Sequence, residues 1–363
     1  MFVMVLAGPA GSQQMPAPTG APATLPGTPI PPPPAPSMIA WTVTLPAAPA
    51  VSPIIAGDTV VVSYLPGIVA GLSREDGREL WRVDLTPEQP LVADGSTVFV
   101  AAGEALHAIR LSDGSTAWHS PSGTLTAPPV VKEGWLLAAT KGKLTARRAA
   151  DGSEVWTVDS GVQREPAAIS GDVLFISLAG GSLVARDLPT GRIRWERRLA
   201  GDPAEPLVFG DDVFVGASDK AFYCVDAKSG EVEWPMRIGA TIRGRAAADN
   251  ERVYFVALDN LVRAVDRTDG AVRWHTPVPF RPVVGPIVAG GSVFIAGSSG
   301  ELRILLGSSG ASAGAVTFPD RLALAPGALE TKDGIVFAAV TGSLQESWKV
   351  SLTLPMATVP APR

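Results

Sequence analysis

Three histidines, one cysteine and a scatter of aspartates are the side chains of this 363-residue chain best suited to hold a metal, move a proton or attack a substrate. A metal centre needs imidazoles, thiolates or carboxylates converging on one point, and a nucleophile needs a base beside it. His119 and His275 each follow a tryptophan, His107 sits in the middle of an alternating apolar run, and Cys224 lies in another. A single thiol forms no intramolecular disulfide. Asp76, Asp113, Asp151 and Asp269 stand immediately before a glycine, and Asp58, Asp94, Asp172, Asp211 and Asp212 lie in a second set of Gly/Asp-rich turns. Aspartate in a turn bonds its own backbone, so these acids read as turn formers. No phosphate-binding glycine loop and no Ser-His-Asp arrangement is present.

The elements that must position these residues repeat. "FYCVDAKSGEVEW" (222–234) returns as "LVRAVDRTDGAVRW" (261–274), and related segments end at Trp81, Trp118, Trp156 and Trp195. Their turn glycines are Gly77, Gly114, Gly152, Gly191, Gly230, Gly270 and Gly310, the last in a worn copy without tryptophan. Upstream of each lies a shorter strand pair around a Gly/Asp/Asn turn, such as "PLVFGDDVFVGAS" (206–218); an eighth, "GALETKDGIVFAAV" (327–340), lies near the end. Four short antiparallel strands per ~40 residues predict a β-propeller blade. The glycine takes the left-handed conformation of a tight turn, and the tryptophan fills the wedge between blades. The prediction is all-β: an eight-bladed β-propeller of four-stranded antiparallel blades. "WTVTL" (41–45) stands ahead of the first blade with no blade of its own. It is expected to complete the last blade and close the ring, with Trp348 as the alternative source of that outer strand. Closure would remove an exposed edge.

On this plan His119 and His275 fall in the second and sixth units, opposite each other across the ring, so no shared metal is expected. His107 reads as a packing or surface residue, and Cys224 as a buried thiol.

The hairpins at 185–195, 225–234 and 264–274 carry a pattern close to A-x-D-x-x-T/S-G-x-x-x-W. This resembles the PQQ-type, quinoprotein-like propeller repeat, with weaker copies over about residues 41–350. That superfamily includes quinoprotein alcohol dehydrogenases and the BamB-like propellers of the outer-membrane β-barrel assembly machinery. The dehydrogenases run much longer, several use a vicinal cysteine pair, and they need carboxylates and an amide converging at the ring axis. With one cysteine and turn-bound acids, the chain is expected to be no enzyme and to hold no cofactor or metal. The resemblance implies a non-enzymatic scaffold for proteins at the cell envelope. A PQQ-dependent oxidoreductase-like protein and a sensor of carbohydrate or small ligands are the alternatives.

What varies between repeats is where a partner is to be sought. The connections at 160–168, 200–206, 238–247 and 278–286 differ most, and propeller topology gathers them on one face. Gln163, Arg164, Arg243, Arg245, Phe280 and Arg281 would give that face guanidiniums and an aromatic, the usual interface anchors. "TIRGRAA" (241–247) is also similar to the Leu-x-Leu-Arg-Gly segment with which BamB-like propellers engage their barrel-forming partner. Ile242, Arg243 and Gly244 match, whereas Thr241 and Arg245 depart from it.

The ends differ from the body. Residues 1–39 hold 11 prolines, four of them consecutive. This composition predicts an extended tether. "MFVMVLAG" resembles the end of a secretory signal without its basic start, which predicts export to the periplasm or outer membrane. "LAG" at 6–8 resembles the start of a lipoprotein processing site, but Pro9 stands where the lipid-bearing cysteine would be. The expected domains are the tether (1–39), the propeller (40–352) and a tail (353–363). A net charge of −5, with no basic run, argues against nucleic acid. No apolar run approaches the ~20 residues of a membrane span. A monomer with protein partners in the envelope is expected.

Overall fold

The computed structural model describes residues 39–318, 320–343 and 347–353. These lie in one compact unit, 34–363, whereas the unit 1–33 falls outside them. The signal-like start, the Pro-rich tether and the tail beyond residue 353 are therefore outside the described residues.

All described elements are β-strands, and they form eight four-stranded antiparallel sheets. Blade I contains Ile54–Ala56, Thr59–Tyr64, Ile68–Ser73 and Glu79–Asp84 in that order. Blades II to VII repeat the arrangement along the chain. Blade VIII takes Gly327–Thr331, Gly334–Thr341 and Lys349–Thr353 from the C-terminal end, and Ile39–Thr44 is its outermost strand. Trp41 pairs with Leu352 and Val43 with Val350. Trp41 thus lies on the outer edge of this blade, while Trp348 precedes its third strand.

The second strand of each blade is almost wholly buried, as in Thr59–Tyr64. Its two faces serve two neighbouring blades, so alternation disappears and Val, Ile, Phe and Ala fill it. The outer strands alternate between exposed and partly buried residues, as in Glu154–Asp159. The apolar clusters accordingly straddle blade interfaces. One joins Val61 and Val69 of blade I to Val98 and Val100 of blade II, and another joins Phe222 of blade V to Phe255 of blade VI.

The repeated tryptophans join consecutive blades. The Trp156 ring of blade III donates from Nε1 to the carbonyl of Leu188 in blade IV at 2.8 Å, and a Cβ on Gly191 would stand 2.9 Å from that ring. Gly191 has φ +71°. Glycine is required there for the left-handed backbone and because the indole occupies the space of a side chain. The same bond recurs from Trp81 to Leu111, Trp118 to Ala149, Trp195 to Ala227, Trp234 to Arg267 and Trp274 to Gly307. Trp41 makes it from blade VIII to Arg74 of blade I at 2.9 Å. Blade VII carries Gly314, Ala315 and Val316 in that region.

Candidate functional site

The aspartates divide into two groups. Those before the hairpin glycine accept from backbone N–H groups two residues on: Asp76 from Arg78 at 3.1 Å, Asp113 from Ser115 and Asp151 from Ser153 at 2.9 Å, Asp269 from Ala271 at 2.8 Å. Hydrogen bonds to Ser115 and Ser153 hold Asp113 and Asp151 below the usual carboxylate range. The upstream acids depart from the expectation of self-bonding. Asp58 pairs with Arg74 at 2.7 Å, tying two turns of blade I together, and Asp172 with Arg194 at 2.6 Å, tying a turn of blade IV to its outer strand. Asp94 accepts from Gly134 N in the next blade at 3.2 Å.

Cys224 is fully buried, and its thiol donates to Glu233 Oε2 at 3.4 Å. Burial first, then the negative charges of Asp212 and Glu233, push its pKa far up. A thiol so held is a poor nucleophile. Asp212, Cys224 and Glu233 place ligand atoms within 4.8 Å of one another, but the Arg267 guanidinium lies 3.7 Å from Asp212.

The histidines correct the sequence reading. His119 and His275 are indeed on different blades, but His107 is the direct cross-strand partner of His119, with ring centroids 6.1 Å apart.

The variable connections run where propeller topology puts them. Each joins an outer strand to the next blade's first strand, and several touch the end of a second strand through an isolated bridge. Gln163 meets Leu178, Pro203 meets Ala217, and Pro282 meets Gly297. Part of each connection turns inward, and three of the expected contact residues are buried. Gln163 is 2% exposed and donates from Nε2 to the carbonyl of Glu165 at 2.8 Å. Ile242 is 7% exposed and packs on Gly216 of blade V. Phe280, expected as a surface aromatic, is 6% exposed; a Cβ on Gly297 would overlap its ring. Burial leaves these three little side-chain surface, although Ile242 still lines the recess between the connections.

The segment expected as a loop around Arg243 is mostly strand, Ile242–Ala248. Arg243 pairs with Val256 and Ala247 with Tyr254, so three residues oppose one. This bulge re-aims what it carries. Gly244 takes φ +62°, and a Cβ there would overlap the backbone N of Gly285, so the bulge lies directly against the connection into blade VII. The next residue, Arg245, is exposed and lies 3.8 Å from Glu205. Arg164 and Arg281 are exposed as expected. Val162 and Val283 are exposed apolar residues of the same connections.

A recess of about 470 Å³ opens between the connections into blades IV, V and VI. Arg164 and Glu165 line it from one connection, Asp202 and Glu205 from the next, Thr241 and Gly244 from the third, with Val283 at its margin. Burial pushes the pKa of Glu165 up. Glu205 is pushed up by burial and by the charge of Glu165, against the opposing pull of Arg245. The recess therefore sets two carboxyl groups beside exposed guanidiniums, with no nucleophile–base pair among the described residues that line it. Glu165 and Glu205 were missed in the sequence; the Glu-Pro dipeptides at 165–166 and 205–206 are the signal that marks them.

Comparison with known proteins places this geometry. A family model described as outer membrane protein assembly factor BamB matches residues 38–158, 65–206 and 199–321. A relative named outer membrane protein assembly factor BamB, from Moranella endobia (strain PCIT), is 26% identical over 288 residues, 69% of this chain and 73% of that one. The crystal structure of BamB from Moraxella catarrhalis superposes with TM-score 0.70 at 17% identity, covering 88% of this chain and 98% of that one. A quinohemoprotein alcohol dehydrogenase from Pseudomonas putida HK5 superposes with TM-score 0.69 at 14% identity, covering 90% and 78%. At those identities the superpositions speak to the fold alone.

Proposed function

The chain belongs to the PQQ-repeat propeller family described as outer membrane protein assembly factor BamB, and from that premise we propose that it is a non-enzymatic protein–protein scaffold. It works after export, at the periplasmic side of the outer membrane, in the assembly of outer-membrane proteins, and it does so as a monomer. The surface assigned to its partner is the face of inter-blade connections that carries Arg164, Arg243, Gly244, Arg245 and Arg281, with Arg164 and Gly244 lining the recess.

The observation that carries this reading is how the face is built. Packing consumes the repeated positions, whereas the non-repeated connections of blades IV to VII leave Arg164, Arg245 and Arg281 exposed beside Val162 and Val283. Arginines around a partly apolar recess are the composition of an interface centre.

Site-specific photo-crosslinking in cells tests it. A photoreactive residue replacing Arg164 or Arg281 is expected to capture one defined envelope protein of the barrel-assembly apparatus. The same residue replacing Arg78, exposed in a hairpin turn at the other end of blade I, is expected to capture none. Capture from Arg78 alone, or no capture from any of the three, would refute the assignment.

A further inference from the structure

Blades I to VII each present one cross-strand pair at the same place, one residue to the far side of the position that carries tryptophan in all of them but blade VII. The pairs are Ala70 with Arg82, Thr145 with Thr157, Val184 with Glu196, Tyr223 with Pro235, Arg263 with His275 and Arg303 with Ala315. In blade II both members are histidine, His107 and His119. The register that brings Thr145 and Thr157 within 2.9 Å, hydroxyl to hydroxyl, here brings two imidazoles together on adjacent strands.

We propose that His107 and His119 form a two-imidazole chelate for a divalent first-row metal ion such as Zn²⁺ or Ni²⁺. Three observations carry it. The first is distance. With metal–nitrogen bonds of about 2.1 Å and a ring nitrogen about 1.1 Å from its ring centre, two imidazoles sharing one ion stand roughly 5–6.4 Å apart, centre to centre. The observed separation, 6.1 Å, lies within that range; the rings are stacked at 20°, so the exposed His119 ring has to turn about its side-chain bonds to aim a nitrogen at the shared ion.

The second is the hydrogen bonding behind the pair. His107 Nε2 lies 3.3 Å from the carbonyl oxygen of Ala102. A carbonyl can only accept, so this contact places the ring proton on Nε2 and leaves Nδ1 with its lone pair. A backbone carbonyl holding the other ring N–H is the usual support of a metal-binding histidine. No hydrogen bond or ion pair occupies His119 among the described residues.

The third is access and charge. His119 is exposed and His107 partly exposed, so an ion can arrive with water completing its coordination. The third histidine, His275, has Arg263 opposite it. A guanidinium there neither ligates nor tolerates a cation, so blade VI supplies an internal control. The cluster of Asp212, Cys224 and Glu233 lacks this openness, because Arg267 already faces its carboxylate.

The experiment uses the full chain, freed of any histidine tag and stripped of metal with a chelator. Zn²⁺ and, separately, Ni²⁺ are titrated calorimetrically, with the histidine ring resonances followed by NMR. One equivalent is expected to bind with micromolar affinity, shifting the His107 and His119 signals and leaving His275 unmoved. H107Q and H119Q should each weaken binding at least tenfold, and H275Q should not change it. The exposed position of His119 keeps H119Q free of folding effects. The proposal is overturned if no saturable site appears below about 1 mM metal, if either single variant binds as the wild type does, or if binding follows His275.

Discussion

Replacing Trp41 with alanine isolates what the N-terminal strand does for the ring. Its indole donates to the Arg74 carbonyl at 2.9 Å and lies where a Cβ of Gly77 would come within 2.8 Å. Trp156 makes the same contacts inside the continuous part of the chain and is likewise only partly buried. A fully buried tryptophan hides about 150–250 Å². Half of that, at about 25 cal/mol per Å², is worth roughly 2.5 kcal/mol. The lost hydrogen bond adds about 1 kcal/mol. Both W41A and W156A are therefore expected to cost about 3.5 kcal/mol, a fall in melting temperature on the order of 5 °C for a chain of this size. Backbone pairing of Ile39–Thr44 does not enter this figure, because the entropy of ordering the strand roughly offsets its hydrogen bonds. The assay is urea unfolding followed by tryptophan fluorescence and circular dichroism, with midpoint and slope fitted separately. If the strand holds the ring shut, the two variants fall together, and removing residues 1–45 costs more than either. A W41A loss under about 0.5 kcal/mol beside a full loss for W156A would mean that the strand merely rests on blade VIII, and the closure argument would fail.

Other outcomes follow from the same geometry. G191A is expected to destabilise by more than 2 kcal/mol, because the left-handed backbone alone costs about 1–2 kcal/mol and the new methyl would meet the Trp156 ring; thermal unfolding reads it. The pKa of Glu205 is raised in the folded state, so its ionised form opposes folding above that pKa, and the penalty is relieved as pH falls through it. E205Q should therefore melt higher than wild type at pH 8, with the difference shrinking towards pH 5; a difference independent of pH would contradict the raised pKa. Protein mixed with PQQ and Ca²⁺ should take up no stoichiometric quinone by absorbance and reduce no dye with a primary alcohol. Quinone uptake with dye reduction would restore the oxidoreductase alternative.

The fold was legible because its constraints are local and repeated. A positive φ at Gly77, Gly114, Gly152, Gly191, Gly230, Gly270 and Gly310, and an indole returning to the edge of every blade but VII, leave a mark every 37 to 40 residues. The candidate surface was less legible because facing is decided by contacts between segments. Phe280 is aromatic and lies in a variable connection, yet it turns inward because Gly297 leaves room for its ring. Ile242 resembles part of a contact motif but fills the space above Gly216. The histidine pair was hidden by a register shift: the hairpin has an irregularity between Ala108 and Ile109, so counting outward from Gly114 does not place His107 opposite His119.

Seven indole-to-carbonyl bonds run in one sense around the molecule, each blade clasping its successor, and they leave a single unclasped joint. From blade VII to blade VIII there is no tryptophan; Phe294 against Phe337, centroids 5.2 Å apart, and Phe318 fill the space instead. Such a ring does not yield evenly. Under heat or mechanical load the seam between blades VII and VIII, held among the described residues by its apolar cluster, is expected to widen first. Blades IV to VI, around the recess, lie within the fully clasped arc. The expected compliance of the ring thereby lies away from the recess.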